Sequence, residues 1–225
     1  MNFNKEQFIF KGLNAIVVIP SNANGKVIWK TEYFNAFEGA ELELLEKGYT
    51  RIHLTVEDKY ATPKTMRLMH AFQLFVTEKY NLNKKANLFG FSRGGLLAFN
   101  YSLYYPEYVE KLYIDAPVLD FKTWPPKGSD GQKSLFENYY LNEQTFELFK
   151  GDPINNLQEF FELNIPLLVI AGAKDSVVSF EKNANALLNY AKTNGYKVTQ
   201  IVKPLCDHHP HGLLDNAPII QFIEN

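Results

Sequence analysis

The chain repeats one pattern: a short run rich in β-branched and aromatic residues precedes a stretch whose apolar residues recur at helical spacing. Since each element must bury its apolar side against a neighbour, this alternation is typical of an α/β layer fold. No repeat, low-complexity tract or charge block divides the 225 residues, so we predict a single domain, 1–225. The predicted strands cover residues 8–10, 15–19, 26–29, 51–56, 87–91, 111–114, 166–171 and 198–202. The predicted helices cover residues 37–47, 63–80, 93–104, 180–193 and 218–223.

Two segments depart from this alternation. The dipeptide Asn24-Gly25 joins two opening strands and is a strong hairpin signal. It predicts an antiparallel N-terminal edge on an otherwise mostly parallel sheet, with helices on both faces. Residues 118–161 contain a loop rich in Pro and Gly, followed by short aromatic-rich helical pieces. We predict that this segment is a cap inserted over the carboxyl edge of the sheet, where ligands of such folds bind.

Composition excludes several classes of protein. Lys and Arg number 23 against 25 Asp and Glu, a balance that argues against a nucleic-acid binder. Cys206 is the one cysteine, so it cannot form an internal disulfide. No apolar run resembles a signal peptide or a membrane span. We therefore expect a cytoplasmic protein that acts on a small molecule, with no membrane or nucleic-acid partner; whether it forms a homodimer stays open.

The sharpest local motif is Gly90-Phe-Ser-Arg-Gly94, which lies between an apolar strand and a helical run. A Gly-x-Ser-x-Gly sequence in this context is typical of a serine nucleophile on a sharp turn from strand to helix. The glycines allow strand and helix to approach, and the turn directs helix N-terminal amides towards the reaction centre. The motif makes Ser92 the candidate nucleophile; an ordinary Gly-rich turn is the alternative.

A serine nucleophile needs a base and an acid, in the chain order Ser, Asp or Glu, His. Asp175 follows the strand at 166–171, and His208 lies in a histidine-rich segment after the last strand. Both positions are at the carboxyl ends of strands, on the same edge as Ser92. Other residues could fill these roles: His209 or His211 as the base, Asp115 or Asp120 as the acid.

At these residues the sequence resembles the α/β-hydrolase superfamily, over residues 8–223. The resemblance implies the fold of that family and a catalytic triad of Ser92, Asp175 and His208. A narrower resemblance, at residues 29–34, 91–95 and 208–212, is to bacterial hydrolases linked to carbohydrate-ester metabolism. Family members need no cofactor, and we expect none.

A metal site is the alternative role of the histidine-rich segment, with Asp207 and Cys206 as further ligands. The sequence argues against it, because Pro210 excludes a helix and a second ligand cluster is missing. We expect no metal. Cys206 is a poor candidate for a thiol nucleophile, since no sharp turn presents it, and a packing role is the better interpretation.

The oxyanion of acyl transfer needs two donors. The family pattern implies the amide of Arg93 and one from the loop near Thr31, where the usual His-Gly is absent. The Arg93 side chain could support the oxyanion, as in glucuronoyl esterases with a Ser-Arg pair, bind a substrate carboxylate, or pair with Glu32 or Asp115. The candidate substrate-binding residues are Arg93, Glu32, Trp29, Trp124 and His209.

The reaction we expect is hydrolysis of a carboxylic ester of a small substrate, such as an acetylated or uronate-type sugar. The same triad can cut amides, so a small peptidase or amidase is the enzymatic alternative. A ligand-binding protein that keeps the fold without turnover is the alternative from another class, because fold alone does not determine function.

Overall fold

The structure is a computed structural model that describes residues 2–225. Its centre is an eight-stranded sheet. The strands are β1 (Phe3–Phe10), β2 (Leu13–Pro20), β3 (Val27–Lys30), β4 (Thr50–Leu54), β5 (Ala86–Phe91), β6 (Val109–Asp115), β7 (Leu167–Gly172) and β8 (Thr199–Lys203). Their order in the sheet is β1-β2-β4-β3-β5-β6-β7-β8. From β4 to β8 all neighbouring strands are parallel, and the two antiparallel pairs are β1 with β2 and β2 with β4.

Helices cover both faces of the sheet. The helices are α1 (Gly39–Glu46), α2 (Pro63–Lys79), α3 (Arg93–Tyr104), α4 (Asp130–Tyr139), α5 (Glu143–Leu148), α6 (Leu157–Glu162), α7 (Ala184–Asn194) and α8 (Ala217–Glu224). One face packs against α1 and α8 around a core that includes Phe89, Tyr113 and Ile219. The other packs against α2, α3, α6 and α7 in a larger core that includes Phe72 and Leu187. This is the α/β-hydrolase fold that the sequence predicts.

The antiparallel edge is confirmed, but the predicted hairpin is wrong. The hairpin joins β1 to β2, and its turn is Lys11-Gly12, where both residues have positive φ. β3 is an interior strand, buried at all four positions and paired with β4 and β5. Asn24 and Gly25 do form a tight turn, in which the Asn24 side chain accepts from the amide of Lys26. That turn belongs to the crossover from β2 to β3, which are separated in the sheet by β4.

The segment at 118–161, predicted to be a cap, contributes α4, α5 and most of α6 between β6 and β7. Its apolar residues Leu135, Phe146 and Phe160 are buried in the larger core. The hydroxyl of Tyr139 donates to the carbonyl of Tyr60, which ties α4 to the loop after β4. The role of this segment as a cap stays a prediction.

Within residues 2–225, none of the helices combines the length and the apolar character that crossing a membrane requires.

Candidate active site

Ser92 occupies a sharp turn between β5 and α3. Its backbone has φ 51° and ψ −118°, a left-handed conformation that is costly for a residue with a side chain. A Cβ at Gly90 would lie 2.6 Å from the Gly94 carbonyl, and one at Gly95 would lie 2.6 Å from Pro117 Cβ. The Ser92 amide donates to the Asp115 carbonyl at 2.9 Å. Small neighbours and these contacts hold the strained turn in place.

Ser92, His208 and Asp175 form one row of hydrogen bonds. His208 Nε2 lies 3.0 Å from Ser92 Oγ, and His208 Nδ1 lies 2.7 Å from Asp175 Oδ2. The other oxygen of Asp175 accepts the amides of Val177 and Val178 at 2.9 and 2.8 Å. Because the carboxylate holds Nδ1–H, the lone pair of Nε2 faces the serine hydroxyl, which is the tautomer that a general base requires.

The loop that carries His208 passes close to the end of β7. A Cβ at Gly172 would lie 2.3 Å from the Asp207 carbonyl oxygen and 2.4 Å from that of Cys206. The Asp207 carboxylate accepts the amide of Ser176 at 2.7 Å and that of His208 at 2.7 Å. These bonds lower the pKa of Asp207, the Ser176 amide contributing most. Asp207 therefore anchors the loop to the segment that carries the acid.

A second carboxylate–histidine pair lies beside the first. His211 Nδ1 lies 3.0 Å from Asp115 Oδ1, and both side chains are almost fully buried. The other oxygen of Asp115 accepts the Gly212 amide at 2.7 Å and the Tyr113 hydroxyl at 3.2 Å. Within residues 2–225, His211 Nε2 is buried without a hydrogen-bond partner. Two of the alternatives left open by the sequence, Asp115 and His211, thus pair with each other and not with Ser92.

His208, His209 and His211 bring three imidazole rings together. The ring centroids are 4.8, 5.0 and 4.8 Å apart, and each pair of rings is close to perpendicular. One ring nitrogen from each histidine lies within 4.8 Å of the other two. His209 is exposed and stacks on Phe37 at 5.5 Å. These are the residues that could hold a metal ion.

Tyr33 is a site residue that the sequence interpretation missed. Partial burial raises the pKa of its phenol, and the nearby Ser92 side chain lowers that pKa by a smaller amount. Arg93 Nη2 lies 3.4 Å from Glu32 Oε2, and its guanidinium lies over the Tyr33 ring at 5.5 Å. Tyr33 follows β3 in the loop where the sequence predicts an oxyanion donor, so a hydroxyl-bearing side chain there was the available signal.

Two predicted site residues have structural roles instead. The amide of Thr31 donates to the Phe89 carbonyl at 3.1 Å, and its hydroxyl donates to the Gly94 carbonyl at 2.8 Å. This amide continues the sheet and is not free to bind an oxyanion. Trp29 is 0% exposed and packs edge-on against Tyr101, so it cannot contact a substrate.

Trp124, predicted to bind substrate, is half-buried and lies 6.2 Å from the Tyr60 ring. Its role in binding stays a prediction, as does that of the exposed His209.

Buried charges hold the loop between β3 and α1, which carries Glu32 and Tyr33. Lys30 Nζ donates to the Ala36 carbonyl at 2.9 Å and to the Glu41 carboxylate, and burial lowers the pKa of Lys30. Arg51 Nε lies 2.6 Å from Glu41 Oε2, and Arg51 Nη2 donates to the Phe34 carbonyl in this loop. Because an unpaired charge would be costly in this interior, the network favours one loop conformation next to Ser92.

Comparison with known proteins gives one family match and several structural matches. The model of the alpha/beta hydrolase fold family matches residues 48–147. A search by sequence among curated proteins finds no significant match.

In structure, the chain is similar to Porphyromonas gingivalis dipeptidyl peptidase 4, with a TM-score of 0.73 and 13% identity, over 99% of this chain. The match spans only 35% of that longer protein. It is also similar to the S-formylglutathione hydrolase FrmB of Staphylococcus aureus, with a TM-score of 0.69 and 14% identity, over 99% of this chain and 96% of that one. TT1662 from Thermus thermophilus matches with a TM-score of 0.63 and 15% identity, over 100% and 98% of the two chains.

Proposed function

We propose that the chain is a serine hydrolase that cleaves a carboxylic ester of a small substrate, because it has the α/β-hydrolase fold and its residues 48–147 match the model of that fold family. One observation carries the proposal: the hydrogen bonds from Ser92 Oγ to His208 Nε2 and from His208 Nδ1 to Asp175, at 3.0 and 2.7 Å. A serine hydroxyl is a weak nucleophile until an adjacent base accepts its proton.

In the proposed reaction, Ser92 Oγ attacks the ester carbonyl while its proton passes to His208 Nε2. Asp175 keeps the imidazole oriented and stabilises the imidazolium that forms. The imidazolium then protonates the leaving alcohol, which departs and leaves an acyl-serine. Water, deprotonated by the same nitrogen, hydrolyses the acyl-serine and restores the hydroxyl.

Two groups are available for the oxyanion. Arg93 is the first residue of α3, so its amide belongs to the helix N-terminal amides that lack an intrahelical partner. The Tyr33 hydroxyl, which lies near the Ser92 side chain and is kept protonated by its raised pKa, is the proposed second donor in place of Thr31. Tyr33→Phe should lower kcat by about 10²–10³-fold with little change in KM, as for loss of one oxyanion donor. An unchanged kcat would contradict this role.

The ion pair of Arg93 and Glu32 suggests the class of substrate. At 3.4 Å it is a loose pair, and each side chain is 16% exposed beside the nucleophile. A substrate carboxylate could replace Glu32 on the guanidinium with a better bidentate geometry. This supports a uronate-type ester, with an acetylated sugar as the neutral alternative.

The test is hydrolysis of p-nitrophenyl esters from acetate to octanoate by the wild type and Ser92→Ala. We expect turnover that is lost in the variant, with a preference for short acyl groups. Equal turnover in the two proteins would contradict the proposed mechanism. Comparing a methyl uronate ester with its neutral sugar analogue then tests the role of Arg93.

Amide hydrolysis is the second candidate. The same triad can cut amides, and the fold is similar to that of a dipeptidyl peptidase, which supports amide hydrolysis as the alternative. Peptide p-nitroanilides assayed beside matched esters separate the two: a kcat/KM on an anilide above that on every ester would favour the peptidase. A protein that binds ligands without turnover would not react with a serine-directed phosphonate.

A further inference from the structure

We propose that His208, His209 and His211 form an inhibitory site for a zinc ion, which competes with Ser92 for Nε2 of His208. The zinc ion is an inhibitor in this proposal and takes no part in turnover. The proposal departs from the expectation, drawn from the sequence, that the histidine-rich segment holds no metal, because the fold brings the three rings together without a helix.

Two of these histidines have the hydrogen-bond pattern that is usual for metal ligands. A metal-bound histidine usually donates its other ring N–H to a carboxylate, which fixes the tautomer and strengthens the ligand. His208 does so to Asp175 at 2.7 Å, and His211 does so to Asp115 at 3.0 Å. Nε2 is therefore the ring nitrogen whose lone pair could bind a metal in each, although in His208 it faces the Ser92 hydroxyl. In His211 that atom is buried without a partner in the described chain, an arrangement that costs free energy unless something binds there.

The spacing of the rings fits one metal ion. Zinc–nitrogen bonds of about 2.0–2.1 Å at tetrahedral angles put three imidazole centroids about 5 Å apart. The observed centroids are 4.8, 5.0 and 4.8 Å apart. The ring nitrogens, within 4.8 Å of one another, must approach to about 3.4 Å. Ring rotation can supply this change, and exposed His209 is the ring that is most free to move.

The donor set selects the kind of metal. Three imidazoles suit zinc and related transition metals, whereas magnesium and calcium prefer oxygen ligands. A metal on His208 Nε2 leaves its fourth position to water or to Ser92 Oγ, which lies 3.0 Å from that nitrogen. The Nε2 lone pair that would accept the serine proton is then donated to zinc. Asp175 and Asp115 supply negative charge that offsets the charge of the ion.

Zinc binding is independent of the proposed function, but inhibition rests on it. The first experiment is therefore isothermal titration calorimetry of ZnCl₂ into chelator-treated protein, both wild type and Ser92→Ala. We expect one zinc per chain in each protein. Absorption of the Co²⁺-loaded protein should show the intense visible bands of a four-coordinate site.

Variants assign the ligands. His209→Gln, at an exposed position, and Asp115→Asn, which removes the carboxylate from His211, should each weaken zinc binding by about 10–100-fold. His70→Gln is the matched control, because His70 is half-buried elsewhere and stacks on Tyr105. Cys206→Ser tests the nearby thiol. Both controls should bind zinc as the wild type does. No binding, binding unaffected by His209→Gln, or binding lost in Cys206→Ser would overturn the proposal.

The second experiment measures ester hydrolysis by the wild type against free zinc concentration. We expect loss of at least 90% of turnover at saturation, full recovery with chelator, and a half-inhibition concentration at least tenfold higher in His209→Gln. Full turnover by the zinc-saturated enzyme would overturn the proposal. If no ester is cleaved even without zinc, the proposed function fails, and calorimetry still decides whether the site exists.

Discussion

The two carboxylate–histidine pairs of this protein are nearly identical in local geometry. Asp175–His208 and Asp115–His211 each join a carboxylate to Nδ1, at 2.7 and 3.0 Å, and all four side chains are buried. Both carboxylates follow or end a parallel strand, and both histidines come from the loop after β8. The pairs differ at the other ring nitrogen: His208 Nε2 reaches Ser92, whereas His211 Nε2 has no partner in the described residues.

An oriented imidazole therefore acts as a base only where a hydroxyl faces its other ring nitrogen. The second pair instead ties the loop to β6, because Asp115 also accepts the Gly212 amide. Variants of the two pairs can test whether Asp175–His208 is catalytic and Asp115–His211 is structural. All assays include a chelator, so that zinc does not contribute.

The largest expected difference is between the two histidines. His208→Gln removes the group that accepts the serine proton, so we expect kcat/KM to fall by about 10⁴-fold or more. His211→Gln leaves the Ser92 row in place, so we expect a loss below about tenfold. Ester hydrolysis by both variants measures the ratio. Similar losses in the two variants would show that the two histidines do not differ in role.

The carboxylates should differ in the same direction. Asp175→Asn keeps the shape but cannot hold Nδ1–H in the same tautomer, so kcat should fall by about 10⁴-fold. Asp115→Asn, the matched change in the other pair, should keep most of the wild-type kcat. A larger loss of kcat in Asp115→Asn than in Asp175→Asn would show that Asp115, and not Asp175, is the catalytic acid.

Stability should show the reverse order. Asp115 accepts hydrogen bonds from His211, Gly212 and Tyr113 inside the protein. Since hydrogen bonds to charged groups are the stronger ones, Asp115→Asn should lower the free energy of unfolding by about 1.5–3 kcal/mol. Urea unfolding of this variant beside Asp175→Asn measures the difference. Greater destabilisation by Asp175→Asn would contradict a structural role for the second pair.

A third buried histidine, His53, has no carboxylate on its Nδ1. His53 Nδ1 lies 2.7 Å from the Lys30 carbonyl, and burial lowers the pKa of His53 below its usual 6.5. The unfolded chain therefore binds a proton more readily, and the stability due to neutral His53 is lost as the pH falls from 6.5 towards the lowered pKa.

Urea unfolding between pH 7 and pH 5 tests this linkage. The wild type should lose stability more steeply than His53→Asn, by up to about 1.4 kcal/mol per pH unit. Parallel slopes for the two proteins would show that His53 does not carry the effect.

Local sequence predicted the elements but not all of their partners. The helix at 93–104 is observed with the same bounds, because a sharp glycine-rich turn starts it and apolar spacing continues through it. Asn24-Gly25 predicted a turn correctly and a hairpin wrongly, because the same turn chemistry serves a crossover. Strand pairing depends on burial along the whole of β3, which a turn does not encode.

The candidate site was also predicted only in part. The strand-end rule predicted that Ser92, Asp175 and His208 approach one another, but it applies equally to Asp115. Separating the two pairs requires the path of the loop after β8, which sets the nitrogen that faces each neighbour. The Thr31 amide was a poor prediction because the sheet extends one residue past β3. Tyr33 was missed because local sequence does not reveal the left-handed backbone position from which it comes near Ser92.

Labelling by a fluorophosphonate, followed by mass spectrometry of the digested protein, tests directly whether Ser92 is the nucleophile. We expect one label per chain, on Ser92. It should be absent in Ser92→Ala, strongly slowed in His208→Gln, and near the wild-type rate in His211→Gln. A label on another residue, or equal labelling of the two histidine variants, would contradict the assignment of Ser92 and His208 as nucleophile and base.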